Sequence, residues 1–219
     1  MQRVIIIGAG GHAQVVADIL LRAAEHGGRA VPIGYLDDNP AQHGLKLLGL
    51  LVFGAVSQCA SLPHDAVIVA VGRNDLRRHL YKQLVANGEQ LITAVHPSAI
   101  IAPDSTVGPG TVICAGAIIN PGASIGENVI LNTAASVDHH NAIGAHVHLA
   151  PGVRLGGNVR IGEGCLVGIG AIVMPQRSVG AWSVVGAGSL VHRDLPASVT
   201  VVGVPARIIS EHANGEPAP

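Results

Sequence analysis

The chain has 219 residues, enough for two small domains that each bury their own core. Its formal net charge at pH 7 is −1 and it has no long basic run, which argues against a nucleic-acid-binding protein. The three cysteines, Cys59, Cys114 and Cys165, have no metal-ligand spacing, and their odd number suggests free thiols in a reducing cytoplasm. The first apolar run, Val4–Ile7, is too short for a signal peptide or a membrane span.

The N-terminal third has the order of a mononucleotide-binding βαβ unit. The strand Val4–Ile7 leads into the glycine-rich turn Gly8–Ala13 (GAGGHA), which opens an amphipathic helix. Two more predicted strands, Val31–Leu36 and Ala66–Val71, end in polar residues. In open α/β sheets ligands bind at the carboxyl ends of strands, so we expect a ligand site there.

Three other interpretations of this region stay open. The glycine-rich turn also fits the G-x-G-x-x-G/A pattern of NAD-binding domains, although about 95 residues leave no room for a second nucleotide-binding half. The pair Asp37-Asp38 could be part of a solvated turn. Asn74 could cap a helix predicted from Asp75 to Asn87.

The rest of the chain carries a strict six-residue repeat. From Val95 to Val191 every sixth residue is Val, Ile or Leu, for seventeen successive occurrences. Such a period fits neither an amphipathic helix nor a simple strand and indicates a solenoid of stacked coils. Three repeats per coil predict eighteen residues per turn and between five and six coils up to Asp194. Glycine often follows the aliphatic residue, which predicts a tight or left-handed turn there, and Cys114 and Cys165 are interpreted as small core residues.

This pattern resembles the hexapeptide-repeat acyltransferases, a resemblance that implies a left-handed parallel β-helix. The whole chain resembles one branch of them, the PglD/NeuD-type sugar acetyltransferases. The matching segments are Val4–Ala13, Gly34–Asn39 (GYLDDN), His96-Pro97, Asn132–His139 (NTAASVDH) and Gly203–Arg207 (GVPAR).

The resemblance implies a domain organisation and a reaction. Residues 1–94 would form a Rossmann-like domain that binds the nucleotide of a nucleotide-linked amino sugar, residues 95–209 the left-handed β-helix, and residues 210–219 a disordered tail. Acetyl-CoA is the expected co-substrate and lies between the subunits of a homotrimer. The expected activity is sugar N-acetyltransfer by a cytoplasmic enzyme, without a metal, a nucleic acid or a membrane.

Catalytic residues follow from the Asn132–His139 segment. The resemblance implies His139 as the general base, a role suited to an imidazole that titrates near neutral pH. Family members usually carry an acidic residue next, where this chain has His140. Asp138, or a carboxylate from another subunit, is a candidate to orient the imidazole, and the choice stays open.

The resemblance also implies two sets of binding residues. For acetyl-CoA they are the side chains of Asn132 and His148 and the backbone groups of Gly157, Ile169 and Ala187. A backbone N–H aimed at the thioester oxygen could stabilise an oxyanion. For the nucleotide sugar they are Gly10, Gly11, His12, Asp37, Asp38 and Asn74.

Other activities remain possible from the sequence. A related sugar O-acetyltransferase of the sialic-acid type would need the same β-helix and the same His139. A zinc enzyme of the carbonic-anhydrase kind would need three histidines from the set His139, His140, His146 and His148 to converge. A non-catalytic scaffold is the fourth interpretation.

Overall fold

A computed structural model describes residues 1–212 and divides the chain into two compact units, Met1–Pro97 and a second that begins at Ser98. Within the described residues, neither helix has the length and apolar character needed to cross a bilayer.

The first unit is a Rossmann-like sheet with helices. Its strands are β1 (Gln2–Ile7), β2 (Ala30–Leu36), β3 (Lys46–Leu47), β4 (Leu50–Gly54) and β5 (Ala66–Val69), and its helices are α1 (Gly11–Glu25) and α2 (Asn74–Ala86). Short 3-10 helices span Pro40–Gln42 and Val56–Ser61, and a last two-residue strand is Ala94–Val95. The strand order is β3-β4-β2-β1-β5, with β1 parallel to β2 and β5, and β3 antiparallel to β4.

Continuous apolar runs form the centre of this sheet because both of its faces are covered. Val4–Ile7 in β1 are fully buried. Ile5 and Ile7 share a core with Val67, Val69 and the α2 side chains Leu80 and Leu84. Since β1, β2 and β5 are parallel, the predicted ligand residues that follow them lie at one edge of the sheet.

The second unit is a left-handed parallel β-helix, as the resemblance implies, and its stacked coils are those that the repeat predicts. From Ile100 to Val173 each strand pairs in parallel with the strand eighteen residues further on, for example Ile118↔Ser136 and Ile130↔His148, whereas Val184 pairs with Thr200, sixteen residues on. The strands form three faces. The first holds Ile100–Ile101, Ile118–Ile119, Ser136–Val137, Arg154–Leu155, Ile172–Val173 and Leu190–Val191; the second Thr106–Val107, Ser124–Ile125, Ala142–Ile143, Arg160–Ile161 and Ser178–Val179; the third Val112–Ile113, Ile130–Leu131, His148–Leu149, Leu166–Val167, Val184–Val185 and Val199–Val202.

The six-residue aliphatic series fills the interior. Every member from Ile113 to Val191 is buried, whereas Val95, Ile101 and Val107 are only partly so. The difference arises because a solenoid residue is covered by the coils on either side, and the first coil has none before it. The buried, uncharged Cys114 and Cys165 fit the interpretation as small core residues.

The glycines that follow the aliphatic residues do not adopt the left-handed backbone that the sequence predicts for them. The left-handed residue lies three positions after the aliphatic and recurs every six residues from Gly110 to Gly188. The glycine directly after the aliphatic is needed instead because the next coil approaches closely. A Cβ on Gly126 would lie 2.7 Å from the Ala145 nitrogen, and one on Gly144 would lie 2.7 Å from the Glu163 nitrogen.

The first residues of the predicted disordered tail are ordered. Arg207–Glu211 forms a strand antiparallel to Val199–Val202, so Ser210 and Glu211 are ordered by backbone pairing. The rest of the predicted tail, residues 213–219, lies outside the described residues.

Candidate active site

His139 follows the strand Ser136–Val137 and stands at a corner of the β-helix with an exposed side chain. Its Nδ1 lies 3.1 Å from Nδ1 of His140, and the two rings are edge to face, with centroids 5.3 Å apart and an interplanar angle of 80°. This contact is the one hydrogen bond that the ring makes within residues 1–212. The Nε2 atom therefore has no acceptor or donor among them.

Gly157 lies one coil beyond His139, and its lack of a side chain leaves room for the ring. A Cβ at Gly157 would stand 2.5 Å from Cε1 and 3.1 Å from Cδ2 of His139, well inside van der Waals contact. The coils are fixed here because the Asn158 N–H donates to the His139 carbonyl at 3.0 Å. The predicted base and one predicted cofactor residue therefore touch.

Asp138 binds the backbone of His139 and not its ring. Its Oδ1 accepts the His139 N–H at 2.7 Å and the Asn120 amide at 3.0 Å. These two bonds lower the pKa of the Asp138 carboxyl, so it is ionised at neutral pH. Asp138 fixes the corner that carries His139, and the structure assigns the ring contact to His140.

The predicted cofactor residues lie on two edges of the prism. Asn132 and His148 form one pair, in which the Asn132 amide donates to His148 Nε2 at 3.1 Å. Backbone hydrogen bonds from Gly152 to Thr133, Gly170 to Pro151 and Gly188 to Ile169 stack one corner of successive coils. This corner, the Asn132 edge, holds Asn132, Ile169 and Ala187. The other corner, the His139 edge, holds His139 and Gly157.

The three predicted backbone positions have one property in common. Each is the second residue after a buried aliphatic, and none of their N–H groups donates a hydrogen bond within the described residues: Gly157, Ile169 and Ala187. A buried backbone N–H without an acceptor costs free energy, and Gly157 is buried, so its N–H is favoured to bind a ligand acceptor. Both edges therefore offer donors to the carbonyl groups of an extended ligand.

In the first unit a small cavity of about 110 Å³ opens at the carboxyl ends of the strands. Polar lining comes from Asp37 and Asp38, and apolar lining from residues that include Ile7, Val56 and Leu80. A planar base or a ribose is the kind of group that such a mixed lining accepts.

Both predicted carboxylates already bind backbone N–H groups. Asp37 accepts from Ala9 at 2.7 Å and from Asn39 at 2.8 Å, so it ties the glycine-rich turn to the end of β2. Asp38 Oδ1 accepts from Val56 at 2.9 Å. The bonds make Asp37 primarily an organiser of the turn, an arrangement that spacing alone did not predict.

Gly10 and Gly11 lie open at the start of α1. A Cβ on either would meet no atom within 4 Å, and Gly10 is the N-cap residue. Gly8 is the glycine that the turn requires, because its φ is +110 and a Cβ there would lie 3.0 Å from the Ala70 carbonyl oxygen. The open N-terminus of α1 is suited to an anion such as a diphosphate.

Positive charge lies nearby on a residue that the sequence analysis missed. Arg77 in α2 is 1 % exposed and donates to the carbonyls of Val71 and Gly72 at 3.1 Å. Burial, followed by the charge of Arg77, lowers the pKa of His12 to about 4, so His12 is neutral at pH 7. An inward-facing arginine on a helix leaves no recognisable spacing in the sequence, so Arg77 could not be predicted.

Asn74 is the first residue of α2, whose N-cap is Arg73, so the interpretation of Asn74 as the helix cap is wrong.

The histidines proposed for a zinc site have different partners. His139 contacts His140, His148 contacts Asn132, and His146 is buried with its Nδ1 2.8 Å from Asn128. Among residues 1–212 the one group of three side chains with metal-ligand spacing lies in the first unit: Cys59, His64 and Glu89.

Comparison with known proteins identifies relatives of both units. The family described as "PglD N-terminal domain" matches residues 3–84. A UDP-N-acetylbacillosamine N-acetyltransferase of Bacillus subtilis (strain 168) is 42% identical over 109 residues, a match that spans 49% of this chain and 49% of the relative.

Solved structures match over nearly the whole chain. The acetyltransferase domain of PglB from Neisseria gonorrhoeae FA1090, solved in complex with acetyl coenzyme A, superposes with a TM-score of 0.87 at 34% identity, over 95% of this chain and 99% of that one. PerB from Caulobacter crescentus, solved with CoA and GDP-perosamine, superposes with a TM-score of 0.86 at 38% identity, over 94% and 97%.

Proposed function

The chain belongs to the PglD-type sugar acetyltransferases of the hexapeptide-repeat superfamily, and we propose that it transfers the acetyl group of acetyl-CoA to the amino group of a nucleotide-linked amino sugar. The observation that carries this proposal is the His139 ring, which stands against Gly157 with an Nε2 atom that has no hydrogen bond within residues 1–212. The relatives solved with acetyl coenzyme A, or with CoA and GDP-perosamine, support the choice of substrates.

Acetyl-CoA supplies the thioester, whose carbonyl carbon the sugar nitrogen attacks. His139 Nε2 accepts the proton that the nitrogen loses as the C–N bond forms, and it returns a proton to the sulfur as the C–S bond breaks. The Gly157 N–H is suited to hold the carbonyl oxygen as negative charge develops, an effect worth about 3 kcal/mol in other enzymes. His139 thus ends the cycle in its starting state.

For the nucleotide sugar we propose the first unit. The six residues Gly10, Gly11, His12, Asp37, Asp38 and Asn74 remain our candidates, with the diphosphate at the N-terminus of α1. The buried Arg77 supplies positive charge in that region. His12 is neutral at pH 7, so its ring can donate or accept a hydrogen bond to the ligand without adding a charge.

We also propose a homotrimer with active sites between subunits. Asn132, Ile169 and Ala187 lie on one edge of the prism, whereas His139 and Gly157 lie on the next, with the face of Ser136–Val137 between them. A neighbouring subunit that brings its Asn132 edge to this His139 edge would complete one continuous acetyl-CoA site. We place the enzyme in the cytoplasm, since all three cysteines are free thiols.

Purified protein should release CoA thiol when acetyl-CoA is mixed with a UDP- or GDP-linked 4-amino sugar. The His139→Asn variant should lose about 100-fold or more in kcat, the typical contribution of a general base. His26→Asn makes the same change at an exposed histidine of the first unit, and as the matched control it should leave the rate unchanged. Treatment of the product with neutral hydroxylamine, followed by mass spectrometry, separates the two products because it removes an acetyl ester and leaves an amide intact. Turnover of hydroxyl acceptors alone would replace the proposal by sugar O-acetylation. Full activity of His139→Asn would refute the role of His139 as the general base.

A further inference from the structure

We infer that His140 is the positioning residue of His139, at the position where the family resemblance implies an acidic residue. It accepts a hydrogen bond from the Nδ1–H of His139 and so keeps the lone pair of His139 Nε2 free for the proton of the sugar amine. The inference rests on the proposed function and adds to it the group that sets the state of the base.

The hydrogen-bond geometry limits the arrangement to two forms. Two Nδ1 atoms 3.1 Å apart can bond only if one carries a proton and the other does not. If His140 donated, neutral His139 would hold its proton on Nε2 and could not accept another there. If His139 donates, its Nε2 is bare, and only this form makes His139 a base.

The backbone holds His140 in place for this task. His140 is one of the left-handed corner residues, with φ 56, and its N–H donates to the Pro121 carbonyl at 3.0 Å. Its ring lies over Gly122, where a Cβ would come within 2.8 Å of Cδ2. Asn, Asp and His tolerate this backbone conformation better than most residues, so the corner accepts an acceptor side chain.

Few charged groups surround the pair. On the same corner the Asp138 carboxylate is bound to the His139 N–H and the Asn120 amide. Two coils before, the Asp104 carboxylate accepts the N–H of Gly122, which lies on the coil beneath the His140 ring. On the coil after, Gly157 and Asn158 carry no ionisable side chain. The acceptor for His139 Nδ1–H is therefore an uncharged imidazole where a carboxylate would supply a negative charge.

This substitution has a consequence for pH dependence. A carboxylate would stabilise the imidazolium that His139 becomes during the reaction, and neutral His140 does so less. Protonation of His140 also turns its Nδ1 into a donor and adds a like charge beside His139. Acidification therefore disables the base through either ring, because a proton on His139 Nε2 occupies the lone pair and a proton on His140 Nδ1 removes the acceptor.

Three variants test the inference through kcat/KM measured against pH. His140→Gly removes the acceptor while suiting the left-handed backbone, and we expect a loss of about tenfold in kcat with an unchanged KM for acetyl-CoA, the usual size of one hydrogen bond. His140→Asp restores an acceptor with charge, and we expect activity within about threefold of the starting enzyme and an acid limb about one pH unit higher. Ser198→Gly, a corner residue with φ 59, is the matched control and should change neither. A wild-type rate and pH profile in His140→Gly would overturn the inference.

A second measurement needs no substrate. Nitrogen-15 NMR of the imidazoles at pH 8, assigned with His139→Asn, should find the proton of His139 on Nδ1 and that of His140 on Nε2. The opposite tautomers in an active enzyme would overturn the role of His140 and leave acetyl transfer standing. The expected tautomers in a protein that acetylates no nucleotide-linked sugar would keep the hydrogen bond and refute the proposed function instead.

Discussion

Replacing Gly157 by alanine should separate the placement of the His139 ring from every other property of the site. The new Cβ would stand 2.5 Å from Cε1 of His139, and ordinary carbon contacts are about 3.5 Å or longer, so the ring must retreat by about 1 Å. A displacement of that size at a reacting group can cost about 100-fold in rate. The substitution keeps the Gly157 N–H, so it tests the ring and not the backbone donor.

Gly156→Ala is the matched control, because it adds the same methyl group to the neighbouring residue. There the Cβ would meet Pro175, 2.7 Å from its Cδ and 2.8 Å from its backbone nitrogen, atoms that belong to the next coil and cannot move freely. We expect Gly156→Ala to lower the free energy of unfolding by about 1–3 kcal/mol. Gly157→Ala should leave it nearly unchanged, because the exposed His139 ring can turn away.

The assay is the release of CoA thiol with saturating acetyl-CoA and a nucleotide-linked amino sugar, together with thermal unfolding of both variants. We expect Gly157→Ala to lose about 100-fold in kcat/KM at an unchanged Tm. A rate within about twofold of the starting enzyme would refute the reasoning, since it would mean that the ring works equally well from a displaced position.

Three further predictions concern stability and reactivity. Burial raises the pKa of all three thiols to about 12, so iodoacetamide at pH 8.5 should label the folded protein far more slowly than the protein in urea, as followed by mass spectrometry at Cys59, Cys114 and Cys165. The pKa of His12 is about 4 when folded and 6.5 ordinarily, so its contribution is complete above pH 6.5 and is lost as the pH falls toward 4. Urea unfolding at pH 7 and 4.5 should reveal a loss of up to about 3 kcal/mol, and His12→Gln should reduce it. Asp37→Ala removes the acceptor of two backbone N–H groups and should cost about 2 kcal/mol of stability and weaken nucleotide-sugar binding in calorimetric titrations. Asp18→Ala, at a half-buried residue of α1, should change neither by more than about 0.5 kcal/mol.

The sequence carried the information for the β-helix because one aliphatic residue per six must fill the same narrow interior. Ile113, Leu149 and Val185 are buried where the period requires it. The role of the glycines could not be derived from the period, since both a left-handed turn and a close backbone approach select glycine. Only the coordinates distinguish Gly126, under the next coil, from Gly122, at the corner.

The binding residues were harder to predict than the fold. Sequence order places Asp37 at the end of β2, but it does not reveal that both of its oxygens accept backbone N–H groups. Arg77 carries no signal because its burial depends on the carbonyls of Val71 and Gly72, which the fold brings to it. The contact between His140 and His139 likewise depends on side-chain orientation at a left-handed residue, which the residue spacing leaves undetermined.

The stacking of equal coils turns distance along the prism into whole steps. Neighbouring parallel strands are about 4.8 Å apart, so Ile169 and Ala187 differ in height by one step, and His139 and Gly157 by another. Removing or adding eighteen residues would shift everything beyond that point by one such step without disturbing the interior. The distance between two binding residues on one edge of such a solenoid can therefore be lengthened or shortened, to suit a longer or shorter acyl carrier, only by whole coil spacings.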